Sequence, residues 1–137
     1  MRKVILSVNV TLDGYVAGPD GELDWMTPDP IMNREYTGAL RGQIDTILLG
    51  RNVYAAFEAN FRRKVADPSS PPALVEFATW MVDTPMVVFS RTLTDVSEVS
   101  RVAAGEMSEE VAAEKARPGE SSPPYDSGIV TLRYLAA

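Results

Sequence analysis

Apolar and small polar residues alternate along Val4-Ile5-Leu6-Ser7-Val8-Asn9-Val10, which predicts a first strand buried on nearly both faces of a helix-covered sheet. Asp13-Gly14 and Asp20-Gly21 then turn the chain, because glycine accepts the positive φ that such turns need, and Trp25 stands at the far end of the loop. Thr27-Pro28-Asp29-Pro30 reads as loop. Met32, Tyr36, Ala39 and Leu40 share one helical face over residues 31–41, with Gly42 as the stop. Residues 44–50 form a short apolar run closed by Gly50 and predict a second buried strand. The helix that follows is expected to face the core with Val53, Ala56 and Phe57.

Residues 60–72 are charged and then rich in Ser and Pro, and read as a mobile loop. Within it Arg62-Arg63-Lys64 is a compact basic cluster, more often a solvated surface than a phosphate site. Leu74, Phe77, Ala78 and Met81 predict a helix over 73–82, with Trp80 off the stripe and expected to cover a neighbouring surface or a partner subunit. Residues 86–90 predict a third strand and 99–102 a short fourth one. Ser108 is placed to cap a helix with Glu109 and Glu110 in its first turn and Lys115 and Arg117 in its last, ended by Pro118-Gly119. After a Ser/Pro-rich loop, residues 129–134 alternate as a terminal strand. Strand alternating with helix indicates an α/β fold, and 137 residues suit a single domain over 1–137 with one core.

Composition narrows the chemistry. With no Cys there are no disulfides, thiolate nucleophiles or Cys-metal sites, and with no His the Ser-His-Asp mechanism and His-centred metal sites are gone too. No acidic cluster has magnesium spacing, so no metal is expected. A net charge of −6 argues against nucleic acid as a partner. The opening residues lack a signal peptide's apolar segment, and no run reaches the length of a membrane span, so a cytoplasmic protein without membrane contact is the expectation.

Three loops follow strands: residues 11–25, 50–53 and 90–92. Parallel neighbouring strands would gather them at one sheet edge, where open α/β folds bind ligands. Gly50 would let a phosphate approach the backbone at a helix N-terminus. Arg51 and Arg91 could add charge-assisted hydrogen bonds, with Ser90 and Thr92 as neutral donors. Taken singly, each is ordinary turn chemistry; their repetition after successive strands points to a nucleotide. Hydride transfer suits this inventory, since a cofactor then supplies the reactive group and the protein adds orientation and one carboxyl. Asp13, Asp24 and Asp29 are the candidate carboxyls, each with a turn-forming role as its plainer alternative.

The segments TLDGYVAGPDGELDW (11–25), DTILLGRNVY (45–54), TPMVVFSRTL (84–93) and EEVAAEKARPG (109–119), in this order, resemble the bacterial dihydrofolate-reductase-like proteins. These are similar to the reductase domain of riboflavin-biosynthesis deaminase-reductases. The resemblance covers residues 2–119. It implies a dihydrofolate-reductase-like α/β fold with a mostly parallel central sheet flanked by helices, NADPH as cofactor and a homodimer. It places Val10, Ala17, Gly18 and Leu23 beside the nicotinamide, and Gly50, Arg51, Asn52 and Val53 at the cofactor phosphates. Ser90, Arg91 and Thr92 match the segment that reaches the adenosine 2′-phosphate, and Trp25 matches an aromatic bordering the substrate. Val53 stands where Thr is usual, and Glu114 where an apolar residue, usually Leu, is usual. After Gly119 residues 125–134 resemble the family's final strand, with no counterpart of its Gly-Gly turn and next helix, so the C-terminal part reads as shortened; the alternative register matches the segment to the Gly-Gly strand and following helix, with the family's later part lost. The implied activity is NADPH-dependent reduction of a C=N bond in a small pterin- or pyrimidine-like molecule. The alternative is a remnant without catalysis that keeps a nucleotide-binding or dimerisation surface.

Overall fold

The computed structural model describes residues 4–22, 38, 41–118 and 134–135. Its elements run β1 (Val10–Thr11), β2 (Ile47–Gly50), α1 (Arg51–Ala66), α2 (Pro72–Asp83), β3 (Met86–Phe89), β4 (Arg101–Val102), α3 (Met107–Ala116) and β5 (Tyr134–Leu135). The chain divides into two compact units, one built from residues 29–114 and the other from 1–28 together with 115–137. Among the described residues no helix is long and apolar enough to cross a membrane.

In the larger unit the strand order is β2-β3-β4, all parallel, with Leu48 opposite Val87, Gly50 opposite Phe89 and Val88 opposite Val102. The central strand β3 is an unbroken apolar run because both its faces are covered: Met86, Val87 and Val88 are all buried. Burying a side chain such as that of Val88 stabilises the unit by roughly 1.5–3 kcal/mol. α1 and α2 complete this core with Tyr54, Phe61, Ala78 and Met81.

The core face of α1 is displaced from the predicted one. Val53 and Ala56 are exposed, and Tyr54, Phe57 and Phe61 face inward. The physical reason is aromatic packing. Phe57 and Phe61 meet edge to face at 5.2 Å, and Phe61 meets Phe77 of α2 the same way at 5.5 Å. The pull of these rings sets the rotation of the helix, and a Val and an Ala cannot compete. Trp80 also belongs to this core, 5.8 Å from Phe77, rather than to a separate surface.

The predicted loop over 60–72 is half helix. α1 runs on to Ala66 because nothing between Asn60 and Ala66 breaks it and the buried Phe61 anchors it. Arg62 pairs with Glu58 one turn back, and Arg63 and Lys64 lie in the last turn, where cations favour the helix dipole. The true turn is short. Asp67 accepts the amide (2.9 Å) and hydroxyl (2.6 Å) of Ser69, which hold its carboxyl below the usual range. Pro72 then opens α2, and Thr84 closes it by donating its hydroxyl to Trp80 O at 2.6 Å.

α3 begins one residue before Ser108, which therefore lies inside the helix and is not its cap. Glu106 O accepts the first amides, from Glu109 and Glu110, while the Glu110 carboxylate reaches back to the amides of Ala104 (2.8 Å) and Gly105 (3.0 Å). The helix predicted over 31–41 lies, apart from Gly38 and Arg41, outside the described residues.

In the other unit β1 pairs with β5 in parallel, Val10 opposite Tyr134 and Thr11 opposite Leu135. The terminal strand therefore finds its partner at the beginning of the same chain. The Asp-Gly turns form as predicted, with φ +91° at Gly14 and +81° at Gly21. The long buried first strand does not: strand geometry is confined to Val10–Thr11, and Val4, Ile5, Leu6 and Val8 are exposed. A strand buried on two faces needs neighbours along its length. Among the described residues, β5 alone pairs with β1 and covers two positions.

Candidate functional site

Two of the three loops singled out in the sequence meet. Because β2 and β3 are parallel and in register at Gly50 and Phe89, residues 50–53 and 90–92 leave the sheet side by side at its C-terminal edge. α1 starts directly at Arg51, leaving Gly50 as the N-cap residue in extended conformation (φ −76°, ψ 157°). Among the described residues no side chain caps this helix, and its first turn holds no acidic residue, so its leading amides and the helix dipole present a positive end. A Cβ built at Gly50 meets no atom within 4 Å. Gly50, Arg51, Asn52 and Val53 line an open depression of about 260 Å³.

Arg51 links the two loops. One guanidinium N–H donates to Thr92 Oγ1 at 2.7 Å, and Nε donates to Asn52 Oδ1 at 3.3 Å. Ser90 Oγ accepts the amides of Thr92 (3.1 Å) and Leu93 (2.9 Å), the usual hydroxyl-to-backbone closure of a tight turn. Arg91 is exposed and has no partner among the described residues. Val53, lacking a hydroxyl, is exposed at the helix start.

Sequence reasoning missed the residue that steadies the segment after Thr92. Tyr54, buried in α1, accepts the amide of Ser97 on its hydroxyl at 2.8 Å. Only the inward register of α1 could have revealed it.

In the smaller unit Val10 sits on β1 opposite Tyr134. Ala17 and Gly18 enter a turn in which the Gly18 amide donates to Glu22 O at 2.9 Å and the Gly21 amide to Gly18 O at 3.0 Å. A Cβ at Gly18 would fall 1.7 Å from Glu22 Oε1, while Glu22 Oε2 accepts the Asp20 amide at 2.9 Å, so glycine lets this carboxylate fold over the turn. Asp13 accepts the Thr11 hydroxyl at 2.5 Å and serves the turn in front of Gly14. Leu23, Asp24, Trp25 and Asp29 lie outside the described residues.

A second polar cluster surrounds Arg101 on β4. It donates to Glu110 Oε2 at 2.7 Å and to Glu114 Oε1 at 3.1 Å. Glu114, at the position where the family pattern carries an apolar residue, is buried. Hydrogen bonds from Arg101 first, then from the amides of Gly105 and Ala104, hold the Glu110 carboxyl below its usual range, and the two carboxylates raise Arg101.

A parallel sheet with β2-α1-α2-β3 connections and ligand-ready loops at its C-terminal edge defines an α/β protein of the dihydrofolate-reductase-like class. Within that class the assignment is specific: residues 2–133 match the RibD C-terminal domain, and the chain belongs to that family of reductase domains, which is NADPH-dependent in general. The match continues past Gly119, where the motif resemblance stops. The chain is also 34% identical over 134 residues to an uncharacterized protein of Bacillus subtilis (strain 168), YyaP, a similarity that spans 98% of this chain and 68% of that protein.

Proposed function

We propose that this chain is an NADPH-dependent reductase that delivers a hydride to a C=N bond of a small pterin- or pyrimidine-like substrate, working as a cytoplasmic homodimer. The observation that carries the reading is Arg51: in a chain of this family it sits at an uncapped helix N-terminus and reaches Thr92 on the neighbouring strand end. The residues present fit a dinucleotide phosphate. Among the described residues the amides of the first turn of α1 have no side-chain cap, Gly50 offers open backbone, and Arg51 keeps N–H groups beyond the two it uses there.

Gly50, Arg51, Asn52 and Val53 would hold the pyrophosphate, and Arg91, uncommitted among the described residues, would meet the adenosine 2′-phosphate beside Ser90 and Thr92. Val10, Ala17, Gly18 and Leu23 serve the nicotinamide in this reading, and Trp25 borders the substrate. When bound, NADPH supplies the hydride. The chain's own work is to orient the two reactants, exclude water and supply a proton. Because Asp13 is committed to its turn with Thr11, that proton comes from Asp24 or Asp29.

Calorimetric titration with NADPH tests the reading. Wild-type protein should bind, and Arg51→Ala should bind about ten- to a hundredfold more weakly, the scale of a lost charge-assisted hydrogen bond. No heat and unchanged tryptophan fluorescence at millimolar NADPH would refute it. Binding without oxidation of NADPH by any pterin or pyrimidine substrate would identify a remnant without catalysis instead.

A further inference from the structure

We infer that Thr92 is a positioning residue that acts through Arg51, holding the guanidinium over the start of α1 before any ligand arrives. The inference rests on the cofactor reading for its consequence, but its geometry stands in the free protein. Arg51 is exposed on the first turn of α1, where a long side chain ordinarily samples many rotamers, and ordering it on binding costs affinity. Here Thr92 Oγ1 accepts one of its terminal N–H groups at 2.7 Å from the end of the adjacent strand, and Asn52 accepts Nε.

Thr92 is itself fixed. Its amide and that of Leu93 both donate to Ser90 Oγ, so the turn that carries the hydroxyl is tied at the exit of β3. The parallel register of Gly50 with Phe89 then sets the separation of the two strand ends. Strand register, turn and hydroxyl thus form one chain of constraints ending on Arg51. Its remaining N–H groups are left to converge on an anion with the amides of α1. Thr92 keeps its own O–H proton while accepting from Arg51, and action through the arginine's order predicts a thermodynamic signature that direct donation to a ligand would not show.

The experiment uses Thr92→Val, Thr92→Ser and Arg51→Ala, singly and combined, with two readouts. In the free protein, ¹⁵N relaxation of the Arg51 Nε–H should show an ordered group in wild type, a disordered one in Thr92→Val and recovered order in Thr92→Ser. In calorimetry with NADPH, Thr92→Val should weaken binding about three- to tenfold, on the scale of a neutral hydrogen bond. The same change made in Arg51→Ala should weaken it no further. Equal order at Arg51 in wild type and Thr92→Val overturns the inference, and so does a Thr92→Val effect that persists undiminished without Arg51. If wild-type protein binds no NADPH, the cofactor reading fails while the relaxation measurement still decides whether Thr92 orders Arg51.

Discussion

Removing either side of the Arg101 cluster should move stability by different amounts and in opposite senses. Arg101 stands on β4 and bridges Glu110 and Glu114, whose side chains are only 12% and 10% exposed, while its own is 45% exposed. Arg101→Leu takes the shared guanidinium away from two carboxylates one helical turn apart, that of buried Glu114 and that of half-buried Glu110. For a fully buried pair the loss would be roughly 3–5 kcal/mol. Water already reaches about half of Arg101, so the expected loss is a measurable one that stays well below that of a fully buried pair. Glu114→Leu removes one of two like charges, lets Arg101 keep Glu110 and solvent, and places an apolar side chain at a buried position. Its expected change is within about 1 kcal/mol of wild type, with stabilisation the favoured sign. Urea unfolding followed by fluorescence of the core residue Trp80 measures both.

The acid limb supplies a second check. A carboxyl whose folded pKa is lowered contributes stability above its unfolded value, and that contribution is lost as pH falls through the folded value. Glu110 should therefore cost the wild type stability below about pH 4.5, its ordinary value. Arg101, raised by its hydrogen bonds to Glu110 and then Glu114, stays charged throughout this range, so the loss follows the carboxyls. In Arg101→Leu the acid loss should shrink, because protonation then relieves two neighbouring carboxylates. An Arg101→Leu variant as stable as wild type, or a Glu114→Leu variant more than 2 kcal/mol weaker, would refute this account of the cluster.

Phe61→Ala removes the ring shared by both edge-to-face pairs of the α1–α2 core and should cost about 3–5 kcal/mol in urea unfolding. A loss under 1 kcal/mol would mean that the aromatic chain does not set the helix register. Tyr54→Phe deletes the acceptor of the Ser97 amide and should cost about 1–2 kcal/mol, with faster hydrogen exchange at Ser97 as its specific mark. Unchanged exchange there would show the segment to be held by other means. Weaker NADPH binding in Arg51→Ala, and its masking of Thr92→Val, complete the set.

The fold class was legible because the strongest local signals agree with it. An apolar run ending at Gly50 and another at Met86–Phe89 fit neighbouring parallel strands joined by helices, and they pair so, with Met86, Val87 and Val88 of the central strand buried and the β2 residues Ile47, Leu48 and Leu49 half-buried. The register of α1 was not legible. Val53, Ala56 and Phe57 make an acceptable stripe, and only the position of Phe77 on the facing helix makes Tyr54, Phe57 and Phe61 the better one. Charge concealed the second half of α1, since Arg62, Arg63 and Lys64 look like loop until Glu58 and the helix dipole are seen to accommodate them. At the candidate site the residue types were legible one by one. Their connection was not, because Arg51 and Thr92 lie 41 positions apart and meet only through strand register.

The pairing of Val10 with Tyr134 also bears on how the protein comes to be made. β2, β3 and β4 can zip up as soon as residue 102 has left the ribosome, since their partners are near in sequence. β1 has no such opportunity. It must wait until residues 134–135 are made, and closing so long a loop draws its entropy cost before any contact rewards it. Throughout synthesis Val10 and Thr11 travel without their strand partner, next to the apolar run of Val4, Ile5, Leu6 and Val8, the kind of segment that aggregates or engages a chaperone. Elongation rate, chaperone supply and expression temperature should therefore govern the yield of folded protein more strongly than the stability of its finished core.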